Sequence, residues 1–225
     1  MKKINTILAA LSALLMLTVT SANSVEFKAG VSANGMAAYA NASETLKDSG
    51  AVSNQEAILA TSYASIFAEV SGDEMMGLGI GISYAPDVVE MDKETRIIQE
   101  SATGDSGTQS MDAKVNDLVT VYMTLPVGDS GAYFKAGYMQ ATMVTNESLA
   151  TGSKYEDVDL TGTTIGGGFE QALGDNAFWR AEGSYQMWED MDAKGSEVGG
   201  TAGSKNTIEA EVGSVTGSLS IGMRF

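Results

Sequence analysis

Apolar residues alternate with small or polar residues over many separate stretches of this sequence. The pattern is clearest at residues 76–85, where Met, Leu, Ile and Tyr occupy every second position and glycine or serine fills the positions between them. A period of two is typical of β-strands with one apolar face. The same pattern predicts eight strands, at residues 26–40, 58–70, 76–85, 115–125, 132–144, 159–173, 177–189 and 208–225.

The connections between these strands alternate between long, of about 14 to 29 residues, and short, of about 3 to 6 residues. The short connections, at residues 71–74, 126–131 and 174–176, are rich in Gly, Asp, Ser, Asn and Pro, which are turn-forming residues. Such alternation predicts an up-and-down antiparallel barrel, with short turns at one end and long loops at the other. An even number of strands also places both barrel termini at the turn end.

Alternation alone fits a soluble barrel of the lipocalin kind as well as a transmembrane barrel. Glycine is frequent on the face that is not apolar, where small residues leave room inside a narrow barrel. Large aromatic residues at the apolar alternate positions of the strands lie near the strand ends, as in the two interfacial girdles of membrane barrels. We therefore predict an all-β, eight-stranded, antiparallel up-and-down transmembrane β-barrel. The predicted interfacial aromatics are Phe27, Tyr84, Phe134, Phe169, Trp179, Tyr185 and the terminal Phe225.

The first 24 residues predict a secretory signal peptide. Lys2 and Lys3 precede an apolar run at residues 7–19, and small residues that permit cleavage after Ala22 or Ser24 follow it. The run of about 13 apolar residues is shorter than the roughly 20 that a membrane-spanning helix needs. The barrel domain is therefore expected to occupy residues 25–225.

Three stretches together resemble a known family. Residues 218–225 alternate up to Phe225, Gly166-Gly167-Gly168-Phe169-Glu170 is similar to a Gly-x-Gly-x-Glu strand end, and residues 179–182 read Trp-Arg-Ala-Glu. Over residues 25–225 the chain resembles the small outer-membrane β-barrels, the opacity-type and outer-membrane-protein-A-like barrels often called porin-family proteins. The resemblance implies a location in the bacterial outer membrane, with its lipid and lipopolysaccharide as partners. It also implies that Phe225 is part of a C-terminal signal read by the barrel-assembly machinery.

Two features depart from that family. The second outer loop, about 86–114, is long, and we expect no peptidoglycan-binding domain after the barrel.

If the apolar alternate positions of each strand face lipid, the positions between them place charged side chains inside the barrel. An eight-stranded barrel is just wide enough for side chains to fill it, so basic and acidic groups there would pair and close the interior. The alternative, solvated strand charges, applies if the barrel is soluble. The predicted interior network has four basic and three acidic members: Lys28, Glu69, Lys135, Glu170, Arg180, Glu182 and Arg224.

Composition narrows the chemistry. The 225 residues include no cysteine and no histidine, which excludes disulfides and removes the usual catalytic base and the commonest transition-metal ligand. The outer-membrane lipid-modifying enzymes and proteases rely on catalytic histidine, so we predict no enzyme and no cofactor. The net charge is −16, or −18 without Lys2 and Lys3, with 11 basic residues against 29 acidic ones. That charge disfavours nucleic acid as a partner.

The predicted outer loops are acidic, and the favoured interpretation is a solvated, repulsive surface. Loose divalent-cation bridging to lipopolysaccharide is the alternative, although the segment from Asp190 to Thr201 fails the pattern of a calcium-binding loop. The acidic residues are Asp87, Glu90, Asp92, Glu94, Glu100, Asp105 and Asp112 in one loop and Glu189, Asp190, Asp192 and Glu197 in another.

The leading functional hypothesis is a structural or surface-interaction role with an unspecified loop ligand. A narrow porin-like channel for small solutes or cations is the alternative, because an acidic mouth concentrates cations. A soluble periplasmic lipid carrier is the third.

Overall fold

The computed structural model describes residues 25–45, 52–72, 77–90, 94–99, 106–148, 157–194 and 207–225. The predicted signal peptide at residues 1–24 lies outside them. Within these ranges, no helix has the length and hydropathy needed to cross a membrane. The strands are β1 (Val25–Thr45), β2 (Val52–Gly72), β3 (Gly79–Glu90), β4 (Glu94–Gln99), β5 (Ser106–Pro126), β6 (Ala132–Ser148), β7 (Val158–Leu173), β8 (Ala177–Trp188), β9 (Met191–Lys194) and β10 (Thr207–Arg224).

Eight of these strands close into a ring. Each pairs antiparallel with the next in the order β1-β2-β3-β5-β6-β7-β8-β10, and β10 pairs with β1 to complete the circle. The closing ladder begins with Lys28 opposite Arg224 and continues without a register shift to Thr45 opposite Thr207. The two short strands lie outside the ring, β4 beside β5 and β9 beside β10. The prediction of an eight-stranded antiparallel up-and-down barrel is confirmed.

The outer surface of the barrel is apolar. Leu219 is 66% exposed and Ile66 is 58% exposed, and both lie on the parity whose side chains point away from the interior. Val70 and Ile82 share that parity but are buried. The opposite face carries mostly glycine, hydroxyl, amide and charged residues, together with buried apolar side chains such as Phe67 and Met139. Most of the interior is therefore polar, unlike the apolar interior of a soluble barrel.

The strands extend further at the loop end than the sequence predicts. Most of the predicted first loop is a hairpin, because β1 continues to Thr45 and β2 begins at Val52. The predicted loop at about 86–114 contains the end of β3, all of β4 and the start of β5, and residues 190–207 contain β9. Residues 52–58 of β2 are exposed on both faces, so they have no apolar face and no period-two signal. Backbone pairing with β1 forms this strand.

The start of the third strand was also predicted wrongly. The predicted segment 76–85 begins as a strand at Gly79 and continues to Glu90, and its Met76 lies outside the described residues. Gly77 has a φ of 75°, a left-handed conformation that favours glycine and is not that of a strand.

Candidate functional site

A buried ion cluster fills the turn end of the barrel interior. Arg180 of β8 donates two hydrogen bonds to Glu69 of β2, of 2.8 and 2.7 Å, and its Nε donates to Oε2 of Glu170 on β7 at 2.5 Å. The Arg180 and Glu69 side chains are 3% and 2% exposed. This bidentate pair joins β2 and β8, which are three positions apart in the ring, and so links two non-adjacent parts of the barrel wall across the interior.

Further charges surround this pair nearer the turn end. Lys28 Nζ donates to Glu170 at 3.0 Å, and Arg224 Nη2 donates to the same carboxylate oxygen at 2.8 Å. Glu26 lies 3.2 Å from Lys28 and 3.7 Å from the Nε of Arg224. Glu26 was missed in the predicted network, although it shares the parity of Lys28, because the predicted strand begins there. Its inclusion gives four acidic against four basic side chains.

A second ion pair stands apart from the first cluster. Lys135 of β6 donates to both carboxylate oxygens of Glu182 on β8, at 3.0 and 3.2 Å. The hydroxyl of Tyr133 donates to Glu182 at 2.8 Å, and the Lys135 ammonium lies 4.2 Å from the centre of the Tyr122 ring. The seven predicted charges therefore form two groups, five around Arg180 and two around Lys135.

Aromatic rings hold the cations in place, which the sequence analysis did not anticipate for the interior parity. The Arg180 guanidinium lies 5.1 Å from the Phe178 ring and 5.2 Å from the Phe67 ring. Rings of this size fit because each lies over a glycine of a neighbouring strand, where an added Cβ would lie within 3 Å of the ring. The ring and glycine pairs are Phe67 with Gly30, Tyr122 with Gly81, Tyr133 with Gly168, and Phe178 with Gly222.

The middle of the interior is polar and contains a small cavity. Its volume is about 70 Å³. Hydroxyl and amide side chains such as Asn34, Thr164 and Gln186 line it, together with apolar side chains such as Leu118 and Met139. The side-chain amide of Asn34 donates to Ser65, and Ser218 donates to Asn34. A cavity of this size and polarity can hold a few water molecules but no large solute.

An apolar cluster fills the loop end of the interior. Met139 and Ala85 are 2% and 1% exposed, and they pack with Met36 and Leu118. Trp188 packs against the same cluster and donates its indole N–H to Ser214 at 3.3 Å. The interior therefore has three layers from turn to loop end, charged, polar and apolar.

The predicted interfacial aromatics lie near both ends of the outer surface. At the turn end, Phe27 lies beside Phe225 and Phe169 beside Trp179, each pair with ring centroids 5.9 Å apart, and Phe134 is 65% exposed. Backbone hydrogen bonds of 2.8 and 3.2 Å also join Phe225 to Phe27.

At the loop end, Tyr84 donates to Asp117 at 2.6 Å and the Tyr185 hydroxyl bonds that of Tyr39 at 3.1 Å. Tyr39 was missed, although it lies on the apolar parity of the first predicted strand.

The described acidic residues of the loop end are mostly exposed. Asp87, Glu90, Glu189 and Asp190 are exposed, and Glu90 forms an ion pair with Lys114. That hydrogen-bonded pair raises the pKa of Lys114. Among the side chains that the structure describes, no group of three or more carboxylates could hold a metal ion. Asp92, Glu100, Asp105 and Glu197 lie outside the described residues, as do the side chains of Glu94 and Asp192.

No protein-family model matches the sequence, and a search of curated proteins found no match. Among solved structures, the chain is similar to the outer membrane protein OprG from Pseudomonas aeruginosa, with 12% identity, coverage of 89% of this chain and 95% of OprG, and a TM-score of 0.49. It is also similar to the outer membrane protein AlkL in lipid bilayers, with 13% identity, 92% coverage of each chain and a TM-score of 0.46. The Escherichia coli outer membrane protease OmpT shares 9% identity, with 89% of this chain and 97% of OmpT covered and a TM-score of 0.44.

Proposed function

We propose that this chain is a bacterial outer-membrane protein whose closed barrel reinforces the envelope. The acidic loop-end extensions of its strands, here called the outer sheet, are held above the membrane for surface contacts. The observation that carries the proposal is the combination of an exposed apolar belt with an interior that is filled at both ends. A soluble carrier would need the opposite distribution of apolar and polar side chains.

The height of the belt matches a bilayer. Along β10, Phe225 at the turn end and Val215 near the loop-end tyrosines are ten residues apart, and Val215 lies opposite Tyr185. At about 3.3 Å per residue and a tilt of about 40°, this distance corresponds to a height of about 25 Å. That value equals the apolar band of outer-membrane barrels. Outer-membrane lipid and lipopolysaccharide are thus the proposed partners of the belt.

The filled interior favours a structural role over the porin-like alternative. The Arg180 and Glu69 pair blocks the turn half, and the cluster around Met139 blocks the loop half. A solute would have to break a buried bidentate ion pair and displace packed side chains. We propose no catalytic role, because the sequence contains no histidine and the buried carboxylates that the structure describes, Glu69, Glu170 and Glu182, each pair with a cation.

The terminal strand supports recognition by the barrel-assembly machinery as a further part of the proposal. Phe225 is 71% exposed on the outer surface, where another protein could contact it before the barrel closes.

The test combines fractionation with planar-bilayer recording of the refolded protein. We expect the chain in the outer-membrane fraction, heat-modifiable migration on gels, and no stable conductance. The double variant Glu69→Ala/Arg180→Ala removes the turn-end pair and serves as the matched control for the recording. Large, stable, cation-selective steps from the unmodified protein would overturn the structural role, and a water-soluble monomer purified without detergent would overturn the membrane assignment.

A further inference from the structure

We propose that the outer part of β2, residues 52–60, is a docking edge for an extended basic segment of another protein, which adds to the sheet as a further strand. This inference rests on the proposed surface role and names its site and the chemistry of its partner.

The seam between β2 and β3 ends early. These strands form six residue pairs, from Ile66 opposite Tyr84 to Ser71 opposite Gly79, although β2 continues outward to Val52 and β3 to Glu90. Pro86 lies two residues beyond the last pair and has no N–H, which removes one possible hydrogen bond where this pairing ends. Beyond that point one bond crosses the seam among the described residues, from the Thr61 hydroxyl to the Val88 carbonyl at 3.2 Å.

The part of β2 that does not pair with β3 is still a regular strand. It pairs with β1 without a register shift along its whole length, from Val52 opposite Thr45 to Gly72 opposite Val25. In an antiparallel strand, alternate residues direct N–H and C=O groups to either side. Residues 52–60 therefore present about half of their backbone groups toward β3 and β4, neither of which pairs with them among the described residues.

This edge lies beyond the apolar belt and lacks the usual protection. Ile58 lies opposite Tyr39, so residues 52–57 extend outward from the aromatic level, and all of them are exposed. Exposed edges in natural proteins are commonly blunted by lysine, proline or a bulge. Residues 52–60 contain neither lysine nor proline, and Glu56 is their one charged residue.

The charge beside the edge favours a basic partner. Glu56 and Glu211 lie opposite Asn41 on either side of β1, and Glu209 lies opposite the next residue of the same face, Ser43. These three carboxylates and Asp190 line a shallow groove of about 650 Å³, which contains no basic side chain among the described residues. A segment that alternates basic and apolar residues would pair its backbone with β2 and direct its cations toward this groove.

A second copy of the chain fits this edge poorly. Two copies in one membrane are related by rotation about the membrane normal, so strands tilted by about 40° would cross at about 80°. Two β2 edges would then meet at a point and could not pair along their length. An extended segment of a different protein has no such constraint.

The experiment uses the full barrel in nanodiscs and a fluorescent ten-residue peptide in which lysine alternates with valine or threonine. Anisotropy at low salt should show binding, and a peptide of the same sequence with N-methyl groups on alternate residues should bind at least tenfold more weakly. N-methylation keeps the charge and removes backbone donors. Equal affinity of the two peptides, or no binding of either, would overturn the strand-addition proposal.

Two variants locate the edge. Asn54→Pro and Gln55→Pro each remove one backbone N–H, and in neighbouring residues these groups point to opposite sides of the strand, one toward β1 and the other toward the open side. The variant that loses the N–H on the open side should keep its pairing with β1, remain heat-modifiable and bind the peptide about tenfold more weakly. Full binding by both folded variants would contradict the assignment. Glu211→Gln should weaken binding about threefold at low salt and have no effect at high salt.

Heat-modifiable migration and membrane fractionation of the unmodified protein test the proposed function separately. The docking edge can therefore fail while the membrane assignment stands.

Discussion

The two ends of the barrel interior are filled by different physical means. At the turn end, Arg180 and Glu69 form a buried bidentate pair within a group of balanced charges and aromatic rings. At the loop end, Met36, Leu118 and Met139 pack together without ionised groups. Both arrangements close the interior, but they respond differently to substitution. Removing one ion leaves its partner charged in a poorly hydrated site, whereas removing a methionine side chain leaves a cavity.

The largest effect is expected at the turn end. Arg180→Met should lower the free energy of unfolding by about 3–5 kcal/mol, because it leaves Glu69 and Glu170 without their central cation. Urea titration in lipid vesicles, followed by heat-modifiable migration, measures this change. The double variant Glu69→Gln/Arg180→Met should recover part of the loss, because it removes the stranded carboxylate. Equal stability of the single and double variants would show that the pair is not the source of the cost.

An intermediate effect is expected at the loop end. Met139→Ala should lower the free energy of unfolding by about 2–3 kcal/mol, since the side chain is 2% exposed and its removal leaves a cavity. Met139→Leu, of similar volume, should cost less than about 1.5 kcal/mol. The same titration measures both. If Met139→Ala proved more damaging than Arg180→Met, the proposed difference between the two ends would be wrong.

The smallest effect is expected at the separate ion pair. Glu182→Gln should cost about 1–2 kcal/mol, because Lys135 keeps its contact with the Tyr122 ring and borders the polar cavity. The matched control is Glu211→Gln on the exposed outer sheet, which should change stability by less than about 0.5 kcal/mol. Chemical denaturation of both variants in the same vesicles decides the matter, and indistinguishable midpoints would argue against a structural role for Glu182.

The barrel was predictable from sequence because its strands have one apolar and one mostly polar face, which gives a period of two. Leu219, Ile221 and Met223 alternate with small or polar residues because one face forms the exposed apolar surface and the other lines a narrow interior. Lys28 and Arg180 could be assigned to the interior by the same parity. Which of the predicted interior charges pair with each other could not be predicted, because alternation gives the face of a residue and not its neighbour across the barrel.

The outer sheet was not predictable for the converse reason. Residues 52–58 have water on both faces, so no alternation distinguishes them from a loop, and their strand conformation depends on pairing with β1. Interior aromatics such as Phe67 were missed because their fit depends on Gly30 of the neighbouring strand. Both features depend on which residues of neighbouring strands lie opposite each other, and this register is known only once the strands are paired.

The ladder between β1 and β10 has a consequence for how the protein folds. It joins the first and last strands of the ring, so Phe27 and Phe225 must meet across nearly the whole chain. Contacts of such long sequence separation slow folding, because the entropy of closing the loop is lost before the contacts form. Until that final pairing occurs, β1 and β10 remain open edges that can join the wrong strand. The folding chain therefore remains exposed to mispairing until its last strand has joined its first.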